Sequence, residues 1–166
     1  MKKLCSILIF SILAFNLVAQ EFEVPKNYVI KQKEDFSKYE GEVLKGIDWL
    51  TQTPLNTQPE KRKEINAFVM IWLTGSPDVS IDIKPEIVNF MKPNADLLII
   101  FMCGWTKYSL ETKDYNNKIK GNQKGVETVI EFYMKNKENM KKDKNVEKYI
   151  KLKEEGKLED YISKNA

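Results

Sequence analysis

The chain has 166 residues, carries 27 Lys and Arg against 24 Asp and Glu, and contains no His. The absence of His excludes the Ser-His-Asp and Cys-His machineries and removes the commonest neutral metal ligand. A formal charge of +3 falls short of the strong basic excess that a non-specific nucleic-acid binder needs.

Lys2 and Lys3 precede an apolar stretch from Leu4 to Ala19, interrupted only by Ser6, Ser11 and Asn16, and no acid occurs before Glu21. A basic start, an apolar core and a small exit residue form the pattern that signal peptidase reads, which predicts cleavage after Ala19. The run is about 16 residues, below the roughly 20 that span a bilayer, and no basic stop-transfer cluster follows it. Cys5 lies too early to serve as a lipoprotein cysteine. Cleavage removes two lysines and no acid, leaving 25 basic and 24 acidic groups, a charge of +1. Only Cys103 survives, so neither an internal disulfide nor a closed zinc site is expected.

An extended lead-in over 20–34 is expected to enter a single helical domain over 35–166. The first helix is predicted from Ser37 to Thr51, with Ser37 and Glu40 as a capping box and Tyr39, Val43, Leu44, Ile47 and Leu50 as its apolar stripe. Trp49 falls off that stripe. Thr57 and Glu60 make a second capping box, with Pro59 in the first turn. That helix carries Ile65, Phe68, Val69 and Trp72 inward and stops at Gly75 and Pro77. Val79, Ile81 and Ile83 alternate with polar residues, which predicts an extended linker. Pro85 to Met91 reads as a short helix with Ile87, Val88 and Met91 inward, and Asn94 as the cap of the next.

Leu97 to Cys103 is the most apolar stretch after the leader. Trp105, Tyr108 and Leu110 prolong it at helical spacing, which favours a central buried helix over a strand. A polar loop is predicted from Asp114 to Gly121. Helices follow from Gly125 to Lys137 and from Asp143 to Glu155, then a short final turn holding Leu158, Tyr161 and Ile162. Glu131 with Lys135, Glu138 with Lys142 and Glu147 with Lys151 stand at pairing distance along a helix. The expected fold class is all-α, a compact array of about six helices arranged as an orthogonal or hairpin bundle, with no sheet.

Chemistry-bearing patterns are sparse. Asp78, Ser80, Asp82 and Glu86 offer oxygen ligands, but the glycine that a calcium loop needs at its bend is missing. The same fault disqualifies Asp143, Asn145 and Glu147. Cys103 reads as a buried small residue rather than a reactive thiol. Gly75-Ser76-Pro77 is a helix stop, not a nucleophile elbow. Carboxylates alone could serve a glycoside hydrolase, and Glu86 and Asp96 are the pair to consider. The one place where aromatics meet a helix end and a change of composition is Trp105-Thr106-Lys107-Tyr108 with the loop beyond. Trp105, Lys107, Tyr108 and Tyr115 are therefore the expected ligand or partner surface. No metal and no cofactor is expected.

Val18-Ala19-Gln20-Glu21 at the cut site, together with a Lys- and Asn-rich helical chain, resembles small exported α-helical proteins of the Bacteroidota. The resemblance implies a diderm cell with a periplasm. It transfers no active-site residue, because no motif of assigned chemistry carries it. The expectation is an exported module, periplasmic or extracellular. It would bind a protein or a small ligand without catalysis, bind no nucleic acid and keep no stable membrane insertion. The alternative is a small carboxylate-dependent hydrolase of envelope polymers.

Overall fold

The computed structural model of the protein describes residues 21–166. The expected leader over 1–19 lies outside the described residues. Six helices follow in order: α1 Lys33–Gln52, α2 Pro59–Gly75, α3 Asp96–Thr112, α4 Lys118–Lys135, α5 Lys144–Glu154 and α6 Leu158–Asn165. A single 3-10 turn, Lys137–Asn139, joins α4 to α5. No strand occurs among the described residues, and the fold is all-α.

α3 organises the rest. It is buried over most of its surface, with Leu97, Ile100 to Thr106, Ser109 and Leu110 shielded from solvent and Lys107, Tyr108 and its last two residues left open. A stretch of helix that is apolar all round must be covered all round. Phe101 and Trp105 face one core, shared with α4, α5, α6 and the segment 87–90. Cys103 and Leu110 face a second core, shared with α1, α2 and Phe22. None of the described helices is long and apolar enough to cross a membrane.

α3 and α4 form the most intimate pair, an antiparallel hairpin with three glycines at its seam. A Cβ on Gly121 would lie 2.7 Å from Trp105 Cδ2, and one on Gly125 would lie 2.6 Å from Phe101 Cδ2. A Cβ on Gly104 would lie 2.7 Å from the Lys124 carbonyl oxygen. Each missing side chain therefore admits a ring or a backbone from the facing helix. α1 and α2 make the second hairpin, closed over Gly46, where a Cβ would stand 3.2 Å from Ile65, 3.2 Å from Phe22 and 3.3 Å from Val69.

Several local expectations give way to tertiary partners. α1 begins at Lys33, inside the expected lead-in and four residues before Ser37. The Asp35 carboxylate accepts from the Lys31 and Gln32 amides at 2.9 and 3.1 Å and so fixes the start. α2 starts at Pro59 as its sequence suggests, but its cap is Gln58 in a left-handed conformation, φ 49°, and not Thr57. Residues 85–91 form turns, not a helix. Their carbonyls serve other segments: Tyr149 Oη donates to Ile87 O at 2.7 Å, and Asn145 Nδ2 to Asn89 O at 2.7 Å. Phe90 consequently turns inward while Met91 is exposed.

Asn94 does not cap α3. Its amide bonds reciprocally with the Lys141 backbone, at 2.9 and 3.0 Å. α4 extends back to Lys118 through half of the predicted loop, with Asn117 as cap, accepting from Lys120 N at 3.1 Å. The expected final turn is an eight-residue helix. Glu131 pairs with Lys153 at 3.2 Å and Glu147 with Lys137 at 3.7 Å, each across helices rather than along one.

Candidate functional site

α1, α3 and α4 enclose a groove of about 500 Å³. Each helix contributes one face at three- and four-residue spacing. α3 supplies Gly104, Lys107, Tyr108 and Glu111; α4 supplies Lys124, Glu127, Thr128, Glu131 and Lys135; α1 supplies Ile47, Thr51 and Gln52. Ile47 and Gly104 lie buried beneath the groove.

Lys107 Nζ reaches Asp48 Oδ1 on α1 at 2.5 Å and Glu111 Oε1 at 3.7 Å. Burial works to lower the Lys107 pKa, but the hydrogen bond and charge of Asp48, with Glu111 behind them, hold it above the ordinary lysine value. Glu127 is partly buried, which works to raise its pKa. Lys124 Nζ at 2.7 Å and Gln123 Nε2 at 2.9 Å reverse that and hold it below the usual carboxylate range. On the wall, Tyr108 Oη donates to Asp114 Oδ2 at 2.7 Å. That bond raises the phenol and, with Asn117, lowers the carboxyl.

The structure brings together two of the four sequence-predicted residues and separates the others. Lys107 and Tyr108 line the groove. Trp105, expected on the same surface, is a core residue at 2% exposure, laid against Gly121 and 6.0 Å from the Phe101 ring centroid. The physical reason is rotation: Trp105 stands two residues, about 200°, from Lys107, so the two side chains leave α3 on opposite sides. Tyr115 lies in a separate cleft with Ser80, Ile81, Asp82, Asn116 and Lys118, where Lys118 Nζ meets Asp82 Oδ2 at 3.1 Å.

Residues that sequence reasoning missed supply most of the groove. Lys107 with Glu111 and Lys124 with Glu127 are pairs four and three residues apart, so that signal was present in the sequence. Asp48 is 59 residues from Lys107, and only the fold joins them.

The remaining candidates carry structural roles. Cys103 is free and 1% exposed, and burial pushes its thiol up to about 12, which removes the thiolate needed for reactivity. Glu86 and Asp96 are solvent-exposed, and neither lines the groove. The carboxyls whose titration the fold moves are Asp35, Asp114, Glu127 and Glu155, and all four are held down. A general acid at neutral pH needs the opposite shift. Asp143 Oδ1 caps α5 through the Asn145 and Val146 amides. No group of three His, Cys, Asp or Glu among the described residues is placed to hold a metal ion.

Comparison with known proteins found no matching family model, no matching curated protein and no matching solved structure.

Proposed function

We propose that the chain is an exported binding module without catalytic activity, working in the periplasm or outside the cell, and that the groove between α1, α3 and α4 is its recognition site. The observation that carries this reading is the Lys107 cluster. A half-buried ammonium shared by Asp48 and Glu111 stands in a concave site large enough for a small ligand, beside an aromatic wall. The export half rests on the leader pattern of residues 1–19 and on the resemblance to exported proteins of the Bacteroidota. The downward shift of Glu127 favours binding over the hydrolase reading, because that carboxyl is ionised at neutral pH and has no proton to donate.

Two measurements test the two halves. N-terminal sequencing of the protein from its native host should begin at Gln20 and find it outside the cytoplasm; a chain retained in the cytosol from Met1 overturns export. A photo-crosslinking amino acid at Gln52, on the groove rim, should give a defined adduct in intact cells, read by mass spectrometry. The same probe at exposed Asp160 on α6 should not. Equal labelling at both positions, or none at Gln52, overturns the groove as the site.

A further inference from the structure

Resting on the groove reading above, we propose that the ligand is a neutral saccharide, a short stretch of uncharged sugar rings laid along α3. Charge balance is the first ground. Three lysines, Lys107, Lys124 and Lys135, face three glutamates, Glu111, Glu127 and Glu131. Lys124 is closed on Glu127 at 2.7 Å, Lys107 on Asp48 at 2.5 Å, and Glu131 is met by Lys153 at 3.2 Å. A ligand with net charge gains little from such a lining, since Lys107, Lys124 and the three glutamates are already engaged and Lys135 alone shows no ion pair among the described residues. A sugar hydroxyl gains from it, because it donates and accepts at once. Each ammonium–carboxylate pair presents one partner for each role within a few ångströms.

The second ground is the ring of Tyr108. Its hydroxyl is tied to Asp114 at 2.7 Å, and Asp114 is held in turn by Asn117 Nδ2 at 3.0 Å. The long axis of the ring is thus held before a ligand arrives, and Tyr108 is the one aromatic side chain lining the groove for the C–H side of a sugar ring.

The third ground is what the groove lacks for a peptide. Strand addition needs a free sheet edge, and the walls are helices whose backbone groups are bonded within themselves. An amphipathic helix needs a hydrophobic trough, and this lining carries six charges. A proline-rich segment needs several aromatic walls, whereas the groove has Tyr108 alone. An acidic or phosphorylated motif needs clustered arginines, and the single arginine of the chain, Arg62, is buried elsewhere.

The test is a titration of the ¹⁵N-labelled chain from Gln20 to Ala166, followed by amide shifts. The probes are cellotriose, maltotriose and triacetylchitotriose, with trigalacturonate and trialanine as the charged and peptide comparisons. At least one neutral trisaccharide should give saturable shifts confined to residues 47–52, 104–112 and 124–135. Its affinity should change less than twofold as NaCl rises from about 0.05 to 0.5 M, a range over which screening shortens severalfold. Tyr108→Ala should weaken it at least tenfold, and Tyr108→Phe, which keeps the ring, less than threefold. The amide spectrum itself reports that each variant is folded.

Trialanine or trigalacturonate binding the groove in place of the neutral sugars overturns the saccharide assignment and leaves the groove reading standing. Shifts with no probe, or shifts outside the three segments, overturn both. Equal losses for the two Tyr108 variants overturn the stacking role of the ring.

Discussion

The indole of Trp105 rests on the backbone of α4 at Gly121, where a Cβ would stand 2.7 Å from Trp105 Nε1. Helix propensity and packing make opposite predictions at this position. Glycine inside a helix costs about 1 kcal/mol relative to alanine, so propensity alone favours Gly121→Ala. The rigid ring cannot retreat from a buried seam, and overpacking of this kind costs about 1–3 kcal/mol. Gly121→Ala should therefore destabilise the protein in urea unfolding. Gly41→Ala on α1, where nothing lies within 4 Å, should stabilise it by about 0.5–1 kcal/mol. Stabilisation by both variants would show that the α3–α4 contact is looser than described.

Arg62 closes the far end of α1. Its Nη1 donates to Leu50 O at 3.0 Å and its Nη2 to Thr53 O at 2.7 Å, while the guanidinium lies between the Trp49 and Phe132 rings. Burial lowers its pKa, with Asp96 and Cys103 acting in the other direction. α1 has no basic residue in its own last turn, so this one comes from α2. Arg62→Met should cost about 2–3 kcal/mol, the scale of buried carbonyls losing a charged donor. Arg62→Lys should recover less than half, because an ammonium cannot fork between two carbonyls and stack on two rings. A loss below 0.5 kcal/mol for Arg62→Met, measured by urea unfolding, would contradict this role.

Cys103 predicts a limit at alkaline pH. Its thiol rises from an ordinary 9.0 to about 12 in the fold. Between those values the unfolded chain sheds the proton and the native chain keeps it, so stability falls as pH rises. The slope from this group is about 1.4 kcal/mol per pH unit. Burial raises the Tyr149 phenol as well, so its contribution is lost in the same direction. Cys103→Ala should be less stable than the parent at pH 7, by about 1 kcal/mol for the lost packing. The order should reverse at about pH 9.7, where the loss from the thiol reaches that ~1 kcal/mol. Unfolding curves for the two proteins that stay parallel across that range would rule out the thiol as the source.

Phe22 anchors the lead-in. It is 4% exposed, fills the space over Gly46 and stands 6.5 Å from Phe68, with Glu23 paired to Lys61 at 3.0 Å beside it. Phe22→Ala should cost about 3–5 kcal/mol, the usual range for an emptied aromatic site. Limited proteolysis should then cut within residues 21–31 before it cuts the helices. Glu23→Ala removes only a surface ion pair and should stay within about 1 kcal/mol of the parent.

The helices α2, α3 and α5 were legible because their information is local. Ile65, Phe68, Val69 and Trp72 recur at helical spacing, Gly156 marks the end of α5, and Leu97 to Cys103 is apolar on every face. The fold class followed from those periods. α4 starts earlier than its sequence suggests because, in isolation, Gly121 looks like the end of a loop and Gly125 like the start of a helix. They are helical because Trp105 and Phe101 need the room, a reason that lies on the other helix. Residues 85–91 failed for the converse cause: their helical pattern is real, but Tyr149 and Asn145 take the carbonyls that a helix would use.

The candidate site divides the same way. Lys107 and Tyr108 could be singled out from sequence because aromatic and cationic side chains gather at the end of an apolar run. Trp105 belongs to the same run and points into the core, since each step along a helix turns the side chain by about 100°. Gln52 and the α4 face reach the groove, and Asp48 reaches Lys107, only through the packing of three helices. Sequence by itself determined the helical class and the central place of α3. Tertiary structure decided which face of α3 stays open, because closure over Gly104, Gly121 and Gly125 sets where α4 lies and leaves the groove between it and α1.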